Sequence, residues 1–135
     1  MLTLHFDSPS EAVLGPAHSF VVEGPFVRQA PQQEIVCRYA NGRWRFKGEA
    51  ANGFECRRST LVQLEDVQGR ASPIYGPFAR LEFRARNCFA DDMPFAEFME
   101  KTERWKHRAS GVTWRVMNVR PASQRQAHAL LGVPP

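Results

Sequence analysis

The 135-residue chain is 43% hydrophobic and 24% charged, a composition that fits one globular domain over residues 1–135 and excludes a disordered or low-complexity protein. A chain of this length buries roughly two thirds of its unfolded surface in a single core. The net charge of +4 favours acidic partners during encounter, yet it is small beside that of a dedicated nucleic-acid binder.

Only Lys47, Lys101 and Lys106 among the 18 basic residues are lysines, and a GC-rich coding sequence accounts for such an arginine bias as readily as phosphate recognition does. The start, MLTLHFDSPSEAV, lacks a basic-then-apolar leader pattern, and no stretch of roughly 18 uncharged apolar residues occurs. Cys37, Cys56 and Cys88 are odd in number and widely spaced in apolar surroundings, as reduced interior thiols are. A cytoplasmic protein that does not enter a membrane is the expectation.

In chain order, Leu2, Leu4 and Phe6 alternate with polar residues and read as a first strand, followed by a loop through DSPSEAVLGPA and a short strand near Ser19 to Glu23. Asn41-Gly42 then separates two runs rich in β-branched and aromatic residues, the signature of a two-residue hairpin turn with positive φ at both positions. Such a loop sets the register: Ala40 opposite Arg43, Tyr39 opposite Trp44, Arg38 opposite Arg45, Cys37 opposite Phe46 and Val36 opposite Lys47. One face of the hairpin then carries Ile35, Cys37, Tyr39, Trp44 and Phe46 toward a core. The other carries Arg38, Arg43, Arg45 and Lys47 beside Val36 and Ala40.

Asn52-Gly53 marks a further turn before Phe54 to Glu65, Gln68-Gly69 another, and Ala79 to Ala85 shows the clearest two-residue alternation. Phe95, Phe98, Met99, Thr102 and Trp105 recur at three- and four-residue spacing behind Asp91-Asp92 and Pro94, which predicts a helix from about Asp92 to Trp105. Val112, Trp114 and Val116 suggest a late strand, and Ser123 with Gln126 a capping box for a short C-terminal helix. The segments EGPFVR (23–28) and YGPFAR (75–80) echo one another; an internal duplication and coincidence both account for that.

Among residues that could carry chemistry, Glu100, Glu103 and His107 share an arc of the expected helix. Lys101, Arg104 and Arg108 flank them, so a solvated ion-paired face outside the buried stripe is expected rather than a metal site. Cys56 precedes Arg57 and Arg58 but has no histidine nearby in sequence, and it reads as a structural thiol. His5, His18 and His128 belong to no ligand or nucleophile motif. The basic face of the hairpin is different. Like charges directly across a strand pair destabilise it by up to roughly 1 kcal/mol, so Arg38 facing Arg45 calls for a nearby acid, full solvation or an anionic partner.

The sequence thus predicts an α+β, mainly β domain: a strongly bent antiparallel sheet or partly open barrel of six to seven strands, with one covering helix and a short C-terminal helix. Its expected role is non-catalytic binding of an acidic protein surface through Arg38, Arg43, Arg45 and Lys47, with no metal or cofactor. Nucleic-acid backbone binding is the second reading, weakened because Tyr39, Trp44 and Phe46 point away from the arginines and so offer bases no rings to stack on. An enzyme with scattered site residues is the third.

Overall fold

Short runs of alternating apolar and polar residues, punctuated by residues that accept positive φ, carry the chain back and forth. The computed structural model describes residues 19–29, 33–46, 49–51, 53–57 and 59–122. Its strands are β1 (Phe20–Glu23), β2 (Phe26–Gln29), β3 (Glu34–Ala40), β4 (Arg43–Phe46), β5 (Glu49–Ala51), β6 (Gly53–Cys56) and β7 (Thr60–Glu65). They continue with β8 (Ala71–Phe78), β9 (Leu81–Arg84), β10 (Asn87–Ala90), β11 (Met93–Met99), β12 (Arg104–His107), β13 (Thr113–Trp114) and β14 (Val116–Pro121). All pairings are antiparallel, and they make two open sheets: eight strands in the order β5-β4-β3-β2-β1-β14-β7-β8, and six in the order β13-β12-β11-β10-β9-β6.

The expected single bent sheet or open barrel is therefore two sheets whose inner faces meet in one core. The expected helix from Asp92 to Trp105 is absent; those residues form β11, a turn and β12. Asp91 and Asp92, expected at the start of that helix, hold φ of 49° and 66° in the turn between β10 and β11. Phe95, Phe98 and Trp105 are buried as expected, but Met99 is exposed. The first predicted strand (Leu2 to Phe6) and the short C-terminal helix lie outside the described residues.

The sheets are built from one pattern used twice. β1 pairs β2 around Gly24-Pro25, with Phe20 opposite Gln29 and Glu23 opposite Phe26. β9 pairs β10 around Ala85-Arg86, with Leu81 opposite Ala90 and Arg84 opposite Asn87. The next pairing has an irregularity at the same step in both: Val27/Arg28 between β2 and β3, Cys88/Phe89 between β10 and β11. That extra residue turns two neighbours inward on each bulged strand, Val36 with Cys37 and Phe95 with Ala96. β3 to β4 places Tyr39 opposite Trp44, and β11 to β12 places Phe98 opposite Trp105.

The last strand of each unit crosses to the other sheet. β6 pairs β9 with Phe54 opposite Phe83, and β14 pairs β1 with Met117 opposite Val22. Strands β1 to β6 thus correspond to β9 to β14, and the β7–β8 hairpin, added beside β14, has no counterpart in the other sheet among the described residues. The Gly-Pro-Phe echo is not this repeat. Gly24-Pro25 is a hairpin turn, whereas Gly76-Pro77 lies within β8 and has a cis peptide bond.

At the centre, Trp44 and Trp105 occupy equivalent positions and stack with ring centroids 6.2 Å apart and planes 11° from parallel. Each indole donates to a turn of the opposite unit: Trp44 Nε1 to the Ala85 carbonyl at 3.0 Å, and Trp105 Nε1 to the Gly24 carbonyl at 3.1 Å. Truncating either fully buried indole leaves a cavity and strands a carbonyl. Trp44→Ala and Trp105→Ala should therefore each lower unfolding free energy by about 3 to 5 kcal/mol. Denaturant melts of both variants check this, and a loss below roughly 1 kcal/mol at one site would make that unit peripheral.

Candidate functional site: the cationic face of the β3–β4 hairpin

Asn41 and Gly42 have φ of 54° and 77°, the positive pair a two-residue turn with the right twist requires. The pairing is the one the turn predicts: Ala40 with Arg43, Tyr39 with Trp44, Arg38 with Arg45 and Cys37 with Phe46. Cys37, Tyr39, Trp44 and Phe46 are buried, while Arg38, Arg43 and Arg45 are exposed on the outer face. Lys47, the fourth predicted member, and its pairing with Val36 lie outside the described residues. Two neighbours depart from the expected faces: the bulge puts Val36 in the core and leaves Ile35 41% exposed.

Arg38 lies with its guanidinium carbon 5.7 Å from the centroid of Phe26, its cross-strand neighbour on the other side. Phe26 was not singled out from the sequence, because its strand partner depends on the bulge register. No ion pair to an acid among the described residues is present at Arg38, Arg43 or Arg45. Other arginines are matched: Arg28 with Glu23, Arg70 with Asp66, Arg108 with Glu97, and both Arg57 and Arg80 with Glu55.

The second unit supplies an internal comparison. At the position of Arg38 opposite Arg45 it has Glu97 opposite Lys106. The same strand pair is therefore built once with opposite charges and once with like charges.

The remaining sequence candidates separate. Glu100 and Glu103 sit in the β11–β12 turn, where Glu100 accepts a hydrogen bond from the Tyr39 hydroxyl at 3.4 Å. His107 is not on a solvated face with them but buried on β12, at the position Phe46 has in the first unit. No group of three or more His, Cys, Asp or Glu side chains suited to a metal ion occurs among the described residues. Cys37, Cys56 and Cys88 are all buried and form no disulfide. Burial pushes the Cys37 and Cys88 thiols well above the ordinary range, which suppresses the nucleophilic thiolate. Arg57, the residue after Cys56, is engaged with Glu55 at 2.7 Å. His5, His18, His128 and Arg58 lie outside the described residues.

Glu55, which nothing in the sequence singled out, is a buried carboxylate. It receives Nε of Arg57 and Nε of Arg80 at 2.7 Å each, and Arg80 continues to Glu82 and Asp92. Each acid in the cluster has a guanidinium, so the network is satisfied within the chain and holds β6 to β9 and the β10–β11 turn.

His107 packs with its ring centroid 4.8 Å from that of Tyr75 and 5.1 Å from that of Phe95, and Nδ1 lies 2.8 Å from the Ser110 hydroxyl. Burial lowers its pKa below the ordinary 6.5, because the imidazolium loses its hydration there. The unfolded chain then takes up the proton first. Stability is undiminished above 6.5 and falls as pH drops from 6.5 toward the lowered folded value. His107→Phe, which installs the side chain of the equivalent position, should abolish that slope. Thermal melts of both proteins between pH 7.5 and 5 test it, parallel profiles being the adverse result.

Compared with models of known protein families, with curated proteins and with solved structures, the chain finds no match.

Proposed function

We propose that this is a non-catalytic binding protein whose β3–β4 hairpin docks on an acidic protein surface through Arg38, Arg43 and Arg45, with Lys47 next in sequence. The observation that carries this reading is the contrast between the units: Arg38 opposite Arg45 in one, Glu97 opposite Lys106 in the other. The fold accepts an opposite-charge pair at this position, so the like-charge pair is not a requirement of the strand geometry. Its cost of up to roughly 1 kcal/mol is offset when carboxylates of a partner lie between the guanidinia. Protein carboxylates fit better than single-stranded nucleic acid, because Tyr39, Trp44 and Phe46 are in the core and the half-buried Phe26 beside this face lies against the Arg38 guanidinium. Buried cysteines without disulfides support action in a reducing compartment such as the cytoplasm.

Charge reversal tests this. Arg38→Glu recreates the cross-strand pairing of the second unit, so its stability should match the wild type or exceed it by up to about 1 kcal/mol. Binding to polyglutamate at low salt should meanwhile fall at least tenfold. Arg38→Glu with Arg45→Glu exchanges one like-charge pair for another, leaving stability near wild type and binding abolished. Wild-type affinity should weaken with added salt. Polyglutamate binding indifferent to both variants ends the proposal. A clear loss of stability would instead mean that the chain's own acids neutralise the face, and binding of duplex DNA alone would transfer the face to nucleic acid.

A further inference from the structure

A second feature stands at the end of the sandwich, where the two units differ in turn length. The β3–β4 turn has two residues, Asn41-Gly42, whereas the β11–β12 turn has four, Glu100 to Glu103. The extra residues bring the longer turn over Gly24. A Cβ at Gly24 would lie 3.1 Å from the Glu103 carbonyl oxygen, and Gly24 also has φ of +56°, so only glycine suits that approach. Between the β1–β2 turn, the β11–β12 turn and Arg115 there remains a cleft of about 310 Å³.

Its charged lining is Glu23, Arg28, Glu103, Arg104 and Arg115, three arginines against two glutamates. Arg28 is occupied, with Nε 3.1 Å from Glu23 and Nη1 3.3 Å from the Gln33 carbonyl. Arg104 and Arg115 have no acid partner among the described residues, although they sit in one concave site. The frame around them is fixed. The Gly24 peptide donates to the Arg115 carbonyl at 3.1 Å and accepts from Trp105 Nε1 at 3.1 Å, while the Arg115 peptide donates to Glu65 of β7 at 3.1 Å.

The geometry points to this cleft as a binding site for a small oxyanion, a phosphate or carboxylate group held between Arg104 and Arg115. Guanidinia present paired donors that match either group, and held backbone reduces the ordering cost of binding. The volume admits a metabolite-sized molecule rather than a protein segment. Its two arginines are not those of the hairpin face: they come from β12 and from the step between β13 and β14.

The test titrates the full chain separately with inorganic phosphate and with succinate, following amide chemical shifts. Saturable binding of either is expected, with the tighter one identifying the class. Arg104→Gln with Arg115→Gln should weaken it at least tenfold, and Arg120→Gln, the same charge change on the outer face of β14, should leave it unaltered. Glu103→Gln removes a like charge and should tighten binding by about twofold, a gain that misfolding cannot mimic. Absence of saturable binding to both probes overturns the site, as does binding indifferent to the paired arginine change.

Discussion

The two indole–carbonyl bonds at the centre are the constraint on which the architecture depends. Leaving an indole N–H withdrawn from water without an acceptor costs roughly 1 to 3 kcal/mol; Trp114 Nε1 is left so, but the two central indoles are not. Within its own sheet each tryptophan faces other side chains, and its acceptor is a turn carbonyl of the other unit: Ala85 for Trp44, Gly24 for Trp105. Neither unit can satisfy its own tryptophan. The crossing of β6 and β14 into opposite sheets expresses the same dependence in the backbone, since each unit completes the sheet of the other. Ala85 shows how strongly this holds, for it keeps φ of 50° where Gly24 has 56°, a conformation costing an alanine roughly 1 to 2 kcal/mol.

A chain that repeats one unit supplies its own reference state. Where both units place the same kind of residue, packing explains it: the tryptophans, the inward pair at each bulge, and the aromatic ring opposite each tryptophan. Where they differ at a core position, the difference is still one of filling, as with Phe46 and His107. Outside the core the units differ in turn length and, on the outer faces of the strands, in charge. The outer face of β11 and β12 pairs Glu97 across from Lys106 and within 3.8 Å of Arg108, whereas Arg38, Arg43 and Arg45 on that of β3 and β4 have no ion pair to an acid among the described residues. Since the backbone pairing is the same, geometry cannot account for the contrast.

The hairpin was legible in the sequence because everything that determines it is local. Asn41-Gly42 sets the turn, the turn sets the register, and alternation sets the faces for Cys37 through Phe46. The misreadings arise where alternation is broken by something nonlocal. In β11 the bulge turns Phe95 and Ala96 inward together, then Phe98; a four-residue turn follows before Trp105 and His107. The resulting spacing of Phe95, Phe98, Met99, Thr102 and Trp105 imitates a helical stripe, and Asp91-Asp92 with Pro94 resembles its start. The same bulge in β3 moved Val36 in and Ile35 out. The repeat was hidden for a related reason: equivalence follows pairing register, and the insertions in turns shift the numbering between strands, so that few residues are identical at equivalent positions, Arg43-Trp44 and Arg104-Trp105 among them.

The cleft and the cationic face are products of one tolerance. Residues in a two-sheet core are fixed by volume and by indole partners, but a turn can lengthen while its strands stay in register, and an outward side chain can change charge while its neighbours stay packed. The β11–β12 turn uses the first freedom: two additional residues reach across to Gly24 and enclose space beside Arg104 and Arg115 without altering the pairing of Phe98 with Trp105. The β3–β4 hairpin uses the second, replacing the acid that Glu97 supplies in the other unit with Arg38 while Tyr39 and Trp44 stay opposite one another. Trp44 is held by the Ala85 carbonyl and Trp105 by the Gly24 carbonyl, so the strands beneath both surfaces are anchored by buried, hydrogen-bonded indoles. The backbone that carries the arginines is held in both places, so the ordering cost of binding at either proposed surface would fall mainly on side chains.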